Sequence, residues 1–593
     1  MSALTEYSPW VPRVVNAAAG CATALATWTA ARQLGFSRGW RLAAGGVAAL
    51  YAPALFLEGE ILAEPLAGAL AAWALVAMLW ARGRSGPGRV AVPAMMAGLA
   101  ALVRAPLAVL PLMVGALRLR TPERRGASLL VILGVTFLVW AGPMLLMHRA
   151  GEGLRFPSTQ GGINFAIGNH AGADGRAVNY PPGFPEVGWR EFESVLRSVP
   201  ERQMGHAVTA SEASAYWAGR GLAFWKDHPL DAVRLTVTRL VLLVHGNETP
   251  NNRSMYAARG DSPVVRILLV PGPPYLPGGL LWPLSWFGVW WVWRRRTASA
   301  YPVAGWFVAS LLPLAVFFVC SRFRVPALAP AVLLALLTLQ AIPRMGPGTR
   351  GVLVAVLIAA NLPLGALTRE DPAREALVRA ESALNAGRLA LAEAAYRRAA
   401  ALDPQEARAG LGLAGVALAE GAPARAIQAL QSVPELEGTW SWEYLKARAL
   451  DGLGRPEEAL PHALRAVSAF PENPELQGYL GLLAESLERT DLAVEALSRA
   501  CLLGSRDPEV WNSYALAQRS AGNLPDAGRA WNRAVDLDPS HFKARYNRSP
   551  YHAEGGRVSA AESDLQAALA LAPSEADRER VRRTLDLLRN RLP

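Results

Sequence analysis

From residue 373 onward the chain repeats itself at a nearly constant interval. Blocks begin at 373, 407, 440, 474, 508 and 542, spaced by 34, 33, 34, 34 and 34 residues. A period of this length marks one supersecondary unit stacked on copies of itself, because a single unit cannot bury its own apolar face. The twentieth place of each block holds Ala392, Ala426, Ala459, Ala493, Ala527 and Ala561; the twenty-seventh holds Ala399, Ala466, Ala500, Ala534 and Ala568. Alanines at these places let two antiparallel helices approach closely. Gly387, Gly421, Gly454, Gly522 and Gly556 occupy the fifteenth place and end the first helix. Pro404, Pro471, Pro539 and Pro573 close most blocks and terminate the second helix.

On these residues, 373–576 resembles the tetratricopeptide repeat family, with a final helix over 577–592 capping the solenoid. The resemblance implies a concave groove that holds an extended peptide or a partner helix: a binding module, with protein or peptide partners. Repeat six departs from the pattern, since Pro550 falls inside its first helix and should kink or fray it.

The preceding residues live in a different solvent. Residues 1–370 hold 33 Arg/Lys against 17 Asp/Glu, whereas 371–593 hold 27 against 31. The basic part contains the stretches 14–31, 42–57, 65–81, 126–148, 267–293, 297–321, 325–343 and 351–368, none with an Asp, Glu, Lys or Arg. Several reach the roughly 20 residues a helix needs to cross hydrocarbon, and the shorter ones need flanking residues or local thinning. Residues 90–103 and 105–117, parted by Arg104, read as two short tilted helices or a re-entrant pair. The expected architecture is therefore all-α: a polytopic membrane domain of about 10 helices over 1–370, then a solenoid over 371–593. Because the excess arginines sit between apolar segments, nucleic acid is a poor partner. Cys21, Cys320 and Cys501 are too far apart for a disulfide framework, and the eight scattered histidines form no metal-ligand pair.

Arginine placement orients the bundle. One set of short turns (32–41, 82–89, 118–125, 294–296, 344–350) carries fifteen arginines, and the opposite set (1–13, 58–64, 104, 322–324) carries four. The first set is expected in the cytoplasm, which puts loop 149–266 and the repeats outside, periplasmic if the cell has two membranes. The N-terminus also falls outside, as it would if a further helix preceded it. Within the loop, 230–245 reads as an interfacial amphipathic helix whose Arg234 and Arg239 reach toward headgroups. Trp282, Trp286, Trp290, Trp291 and Trp293 read as an interfacial belt and helix packing.

Four segments occur in a telling order: Glu58-Gly59-Glu60-Ile61-Leu62-Ala63-Glu64, then Gly98 to Pro106 around Arg104, then Gly162 to Asn169, then Ser321-Arg322-Phe323-Arg324-Val325-Pro326. In that order they resemble the C-type glycosyltransferases that use polyprenyl-phosphate sugars, and more narrowly bacterial members with a tetratricopeptide tail. The resemblance implies transfer of a sugar from the lipid carrier to an extracytoplasmic acceptor, on the outer face of the plasma membrane. It implies a catalytic role for Glu64, and Arg104, Arg322 and Arg324 on the carrier phosphate. Asn164 and Asn169 would contact substrate. No cofactor follows from it. Such transfer needs a carboxylate to deprotonate the acceptor and cations to stabilise the leaving phosphate. The superfamily also places an aspartate in its first external loop, yet Asp174 is the first Asp of this chain. That departure favours a second expectation, a non-catalytic membrane scaffold for envelope or polysaccharide assembly.

Overall fold

The computed structural model describes residues 10–82, 87–118, 125–149, 160–176, 180–182, 184, 189–250, 254–367 and 371–590. Among them the fold is all-helical, and the chain divides into two compact units, residues 1–188 with 195–370 and residues 189–194 with 371–593.

In the first unit, helices form over every charge-free run, but their lengths differ from expectation. Among the described residues, four are long and apolar enough to span a membrane by length and composition: Trp10–Gln33, Glu64–Ala81, Gly126–Arg149 and Ser321–Arg344. Arg38–Ala49 and Ala52–Gly59 would make a fifth if joined, but they bend by 44° at their break. Ala91–Val103, Val109–Arg118, Tyr301–Val316 and Pro347–Ala359 are apolar but shorter. A bundle of ten full-length spans is thus more than these helices amount to. The run 267–293 also yields less helix than its composition suggests. Beyond the end of the Pro263–Leu268 helix it becomes helical again only at Gly278, because Pro271, Pro273, Pro274 and Pro277 lack the amide donors a helix requires. The core is alanine-rich, with Ala67, Ala71, Ala74, Ala94, Ala97 and Ala100 fully buried beside Leu75, Trp306 and Phe307. Small side chains bring backbones close, a packing that suits helices without a water-driven hydrophobic force between them.

The second unit consists of six helical hairpins and a cap. They run from Pro372–Asn385 with Leu389–Leu402 to Phe542–Glu554 with Val558–Leu571, and the cap is Glu575–Asn590. Ala392, Ala426, Ala459, Ala527 and Ala561 are at most 1% exposed, as close helix approach requires. First helices pack on one another from the first hairpin to the third and from the fourth to the sixth.

Two details differ from the sequence reading. In the fourth hairpin the left-handed turn falls on Glu488 (φ +58°), while Thr490 opens the next helix. The other five turns use glycine at φ +68° to +83°. A side chain costs about 1–2 kcal/mol in this conformation, partly offset by the unfolded-state entropy of glycine. Glu488→Gly is therefore expected to stabilise the repeats by about 0.5–1 kcal/mol, roughly 1–4 °C in a calorimetric transition of this size. An unchanged or lower melting temperature would refute this. Secondly, Pro550 does not fray its helix, which continues to Glu554. The carbonyl of Tyr546, left without its usual amide partner, accepts instead from the Ser549 hydroxyl at 2.8 Å.

Candidate functional site

Glu64, Arg104 and Arg322 converge. Glu64 opens the Glu64–Ala81 helix, where a carboxylate meets the positive end of the helix dipole. Arg104 sits in extended conformation where Ala91–Val103 stops, and Arg322 lies in the short Ser321–Arg324 turn. Glu64 Oε1 is 2.8 Å from Arg104 Nη2 and 3.2 Å from Arg322 Nε. Both guanidinium groups also lie on the Phe323 ring, at 4.3 and 4.7 Å from its centroid. The carboxylate is 2% exposed, whereas Arg104 and Arg322 are 23% and 15% exposed. One buried anion therefore holds two partly open cations, and the cluster carries a net positive charge toward its open side. Such paired guanidinium groups suit oxygens of a phosphate or carboxylate.

Arg324 does not join them. It is 1% exposed, with Nη1 3.8 Å from Glu248 Oε2 and 3.4 Å from the carbonyl of His245. It also donates to the carbonyl of Leu242 and lies 5.0 Å from the centre of the Trp282 ring. Glu248 Oε1 in turn accepts from the Tyr51 hydroxyl at 2.5 Å, and Trp282 Nε1 donates to that hydroxyl at 3.1 Å. The guanidinium of Arg324 is committed to the protein, so the expectation that it meets a carrier phosphate is corrected. The partnership of Tyr51 and Glu248, 197 residues apart, is one that only the fold creates.

The Gly162–Asn169 stretch is a short helix, Gly161–Gly168, wedged so tightly that a Cβ on Gly168 would collide with the Phe317 carbonyl. Asn169 is 1% exposed; it donates to the carbonyls of Phe165 (2.8 Å) and Val316 (3.0 Å) and accepts from Trp225 Nε1 (2.9 Å). Its amide is saturated by the protein, which corrects its expected role toward substrate. Asn164 is half-buried on the same helix, away from the Glu64 cluster's contacts. Arg239 overturns the picture of arginines reaching outward along 230–245. It is fully buried and donates to the carbonyls of Gly168, Ala315 (3.2 Å) and Val316 (3.1 Å), and to Asn169 Oδ1 (3.2 Å). Arg234, by contrast, is exposed.

In the repeat unit, the row of first helices carries a polar aromatic face. Tyr444 on Trp440–Gly452 donates to Glu475 Oε1 on Pro474–Ser486 at 3.0 Å, and Tyr479 lies 3.5 Å from Asp451 Oδ2. Burial, reinforced by the Glu475 carboxylate, pushes the Tyr444 phenol well above its usual range, so it remains a donor. The two rings meet edge to face at 5.4 Å, with Arg448 5.5 Å from Tyr444. Further along, Asn547 Nδ2 donates to Asn512 Oδ1 at 2.9 Å, and Lys543 pairs with Glu509 at 2.7 Å.

The tetratricopeptide repeat family matches residues 377–436, 444–509 and 514–576. These segments are tetratricopeptide repeats, a class whose use is protein interaction. A peroxisomal targeting signal receptor of Eremothecium gossypii is 31% identical over 85 residues, covering 14% of this chain and 15% of that protein. The corresponding receptor of Saccharomyces cerevisiae is 31% identical over 75 residues, covering 13% and 12%. The chain thus spans less than a fifth of the curated relatives it matches. Among solved structures, YrrB, titled a TPR protein with an unusual peptide-binding site, is 22% identical, covering 32% of this chain and 97% of that one (TM-score 0.27). PilF of Pseudomonas aeruginosa is 18% identical, covering 36% and 97% (TM-score 0.33).

Proposed function

We propose that this chain is a membrane-anchored scaffold whose tetratricopeptide repeats hold a protein partner outside the cytoplasm, in envelope or polysaccharide assembly. The observation that carries the reading is the row of first helices, where Tyr444, Tyr479, Asp451 and Glu475 form a continuous face. The arginine bias of the short turns and the four long apolar helices support the anchor. A photo-crosslinker placed at Leu482, on the same helix as Tyr479, is expected to trap a discrete partner in cells. Tyr444→Ala with Tyr479→Ala should lose that adduct at unchanged protein level. Persistence of the adduct in the double variant would remove the face from the interface. Orientation has its own test, because protease added to intact spheroplasts should trim the repeats. A protected C-terminal third would put them in the cytoplasm.

A second reading, transfer from a polyprenyl-phosphate sugar, is favoured by one arrangement, the two partly open arginines held on Glu64. Arg104→Ala is expected to weaken binding of a polyprenyl phosphate by tenfold or more, about 1.4 kcal/mol. Unchanged affinity would take Arg104 out of the site.

A further inference from the structure

The last hairpin carries an ionic core where most of the others carry alanine. Asp564, on the Val558–Leu571 helix, has a side chain only 3% exposed. The same place in other repeats holds Ala395, Ala429, Ala496 and Ala530, with His462 in the third. Three side chains of the Phe542–Glu554 helix close on Asp564. Arg548 donates from Nε to Asp564 Oδ2 and from Nη2 to Oδ1, both at 2.7 Å, and Arg545 Nη1 donates to Oδ1 at 3.1 Å. His552 Nε2 stands 3.7 Å from Oδ2. One carboxylate thus serves two guanidinium groups before the imidazole is counted.

His552 is 12% exposed, and among the described residues its Nδ1 is buried without a hydrogen-bond partner. A neutral ring suits this setting, because its single proton belongs on Nε2, toward Asp564, and a bare Nδ1 needs no acceptor. A protonated ring must carry a second N–H on Nδ1, a buried donor with nothing to receive it, and leaving such a donor unpaired is costly. The charged groups facing the ring are Arg548 on its own helix, Arg557 in the turn between the helices and Asp564 across the hairpin. The preceding hairpin contributes neutral Asn532, which accepts from Arg548 Nη1 at 2.9 Å. Two cations against one already shared anion oppose a further positive charge. Burial first, and Arg548 second, hold the His552 pKa below the ordinary imidazole range. The unfolded chain therefore takes up the proton more readily than the folded one. Stability that rests on the neutral ring is present above the unfolded value of about 6.5 and is lost as pH falls below it.

We infer that the last hairpin is an acid-sensitive lock at the end of the repeats, closed while His552 is neutral and loosened by its protonation. Its Phe542–Glu554 helix also supplies one end of the polar face. Asn547 meets Asn512 there, and Lys543 meets Glu509, both on the neighbouring Pro508–Ser520 helix. Loosening the hairpin withdraws that end, so a held partner would be released on acidification. Release rests on the partner-holding reading of the face; the lock itself does not.

Amide hydrogen exchange of the full chain in detergent, at about pH 7.5 and about pH 5.5 and corrected for intrinsic exchange rates, tests the lock. Protection over 542–571 is expected to fall about threefold or more on acidification, relative to the Pro372–Asn385 helix. His552→Gln keeps a neutral polar side chain and should make that ratio independent of pH, whatever it does to absolute stability. His541→Asn, which keeps a capping acceptor at the start of the same helix, should leave the response in place. Unchanged protection in the parent, or a response that survives His552→Gln, overturns the inference. A photo-crosslinker at Leu516, on the Pro508–Ser520 helix, follows release in isolated membranes. Its adduct should weaken at the lower pH in the parent and not in His552→Gln; equal adduct at both pH values in the parent overturns release. No adduct at either pH, with the exchange response intact, overturns the partner reading and leaves the lock standing.

Discussion

Arg324→Met is expected to destabilise the first unit by about 3–5 kcal/mol, the range for breaking a buried ion pair from one side. The loss has little to do with size, since methionine fills much of the same volume. It comes from Glu248, which is 1% exposed and would keep its charge without a cation, and from the carbonyls of Leu242 and His245, which would lose their donor. Adding Glu248→Gln should therefore restore most of the stability, because the orphaned charge disappears with the second substitution. Thermal unfolding of the purified full-length chain checks this. Equal destabilisation in the single and the double variant would show that packing, rather than uncompensated charge, sets the cost.

Arg239→Leu should be comparably damaging, at about 3–5 kcal/mol. One guanidinium serves the carbonyls of Gly168, Ala315 and Val316 and the side-chain oxygen of Asn169, tying three separate segments together. Arg239→Lys should recover little, since a compact ammonium cannot span acceptors that a planar fork reaches together. Arg234→Leu, on the same helix but exposed, serves as the control and should stay within about 0.5 kcal/mol of the parent. If the two leucine variants melted alike, Arg239 would be the outward-facing residue that the helical pattern suggests.

How much could be read beforehand differs between the halves for a physical reason. In the repeats, the information is local and recurs every turn of the design. Alanine at two fixed places permits close helix contact, and a turn residue with positive φ stands at a third. Even there, Glu488 shows the limit, because it takes the left-handed conformation that the other five turns give to glycine. Pro550 shows another, since its disruption is absorbed by the hydroxyl of Ser549, a compensation that only coordinates reveal. In the first unit, Glu64, Arg104 and Arg322 were each conspicuous as charges beside apolar runs, and they do meet. Glu248 and Tyr51 become special only by being buried together, and Arg239, expected to reach outward, serves buried carbonyls instead.

The amino-acid order alone settled the period of the repeats, the helical class throughout and the segregation of charge between the two halves, since these depend on side-chain type and spacing along one chain. Tertiary structure alone decided which arginine does what. Arg322 and Arg324 look interchangeable on paper, but two residues along a helical turn project to nearly opposite sides. One of them therefore joins the partly open Arg104 at the buried Glu64, and the other is sealed against Glu248 in the interior.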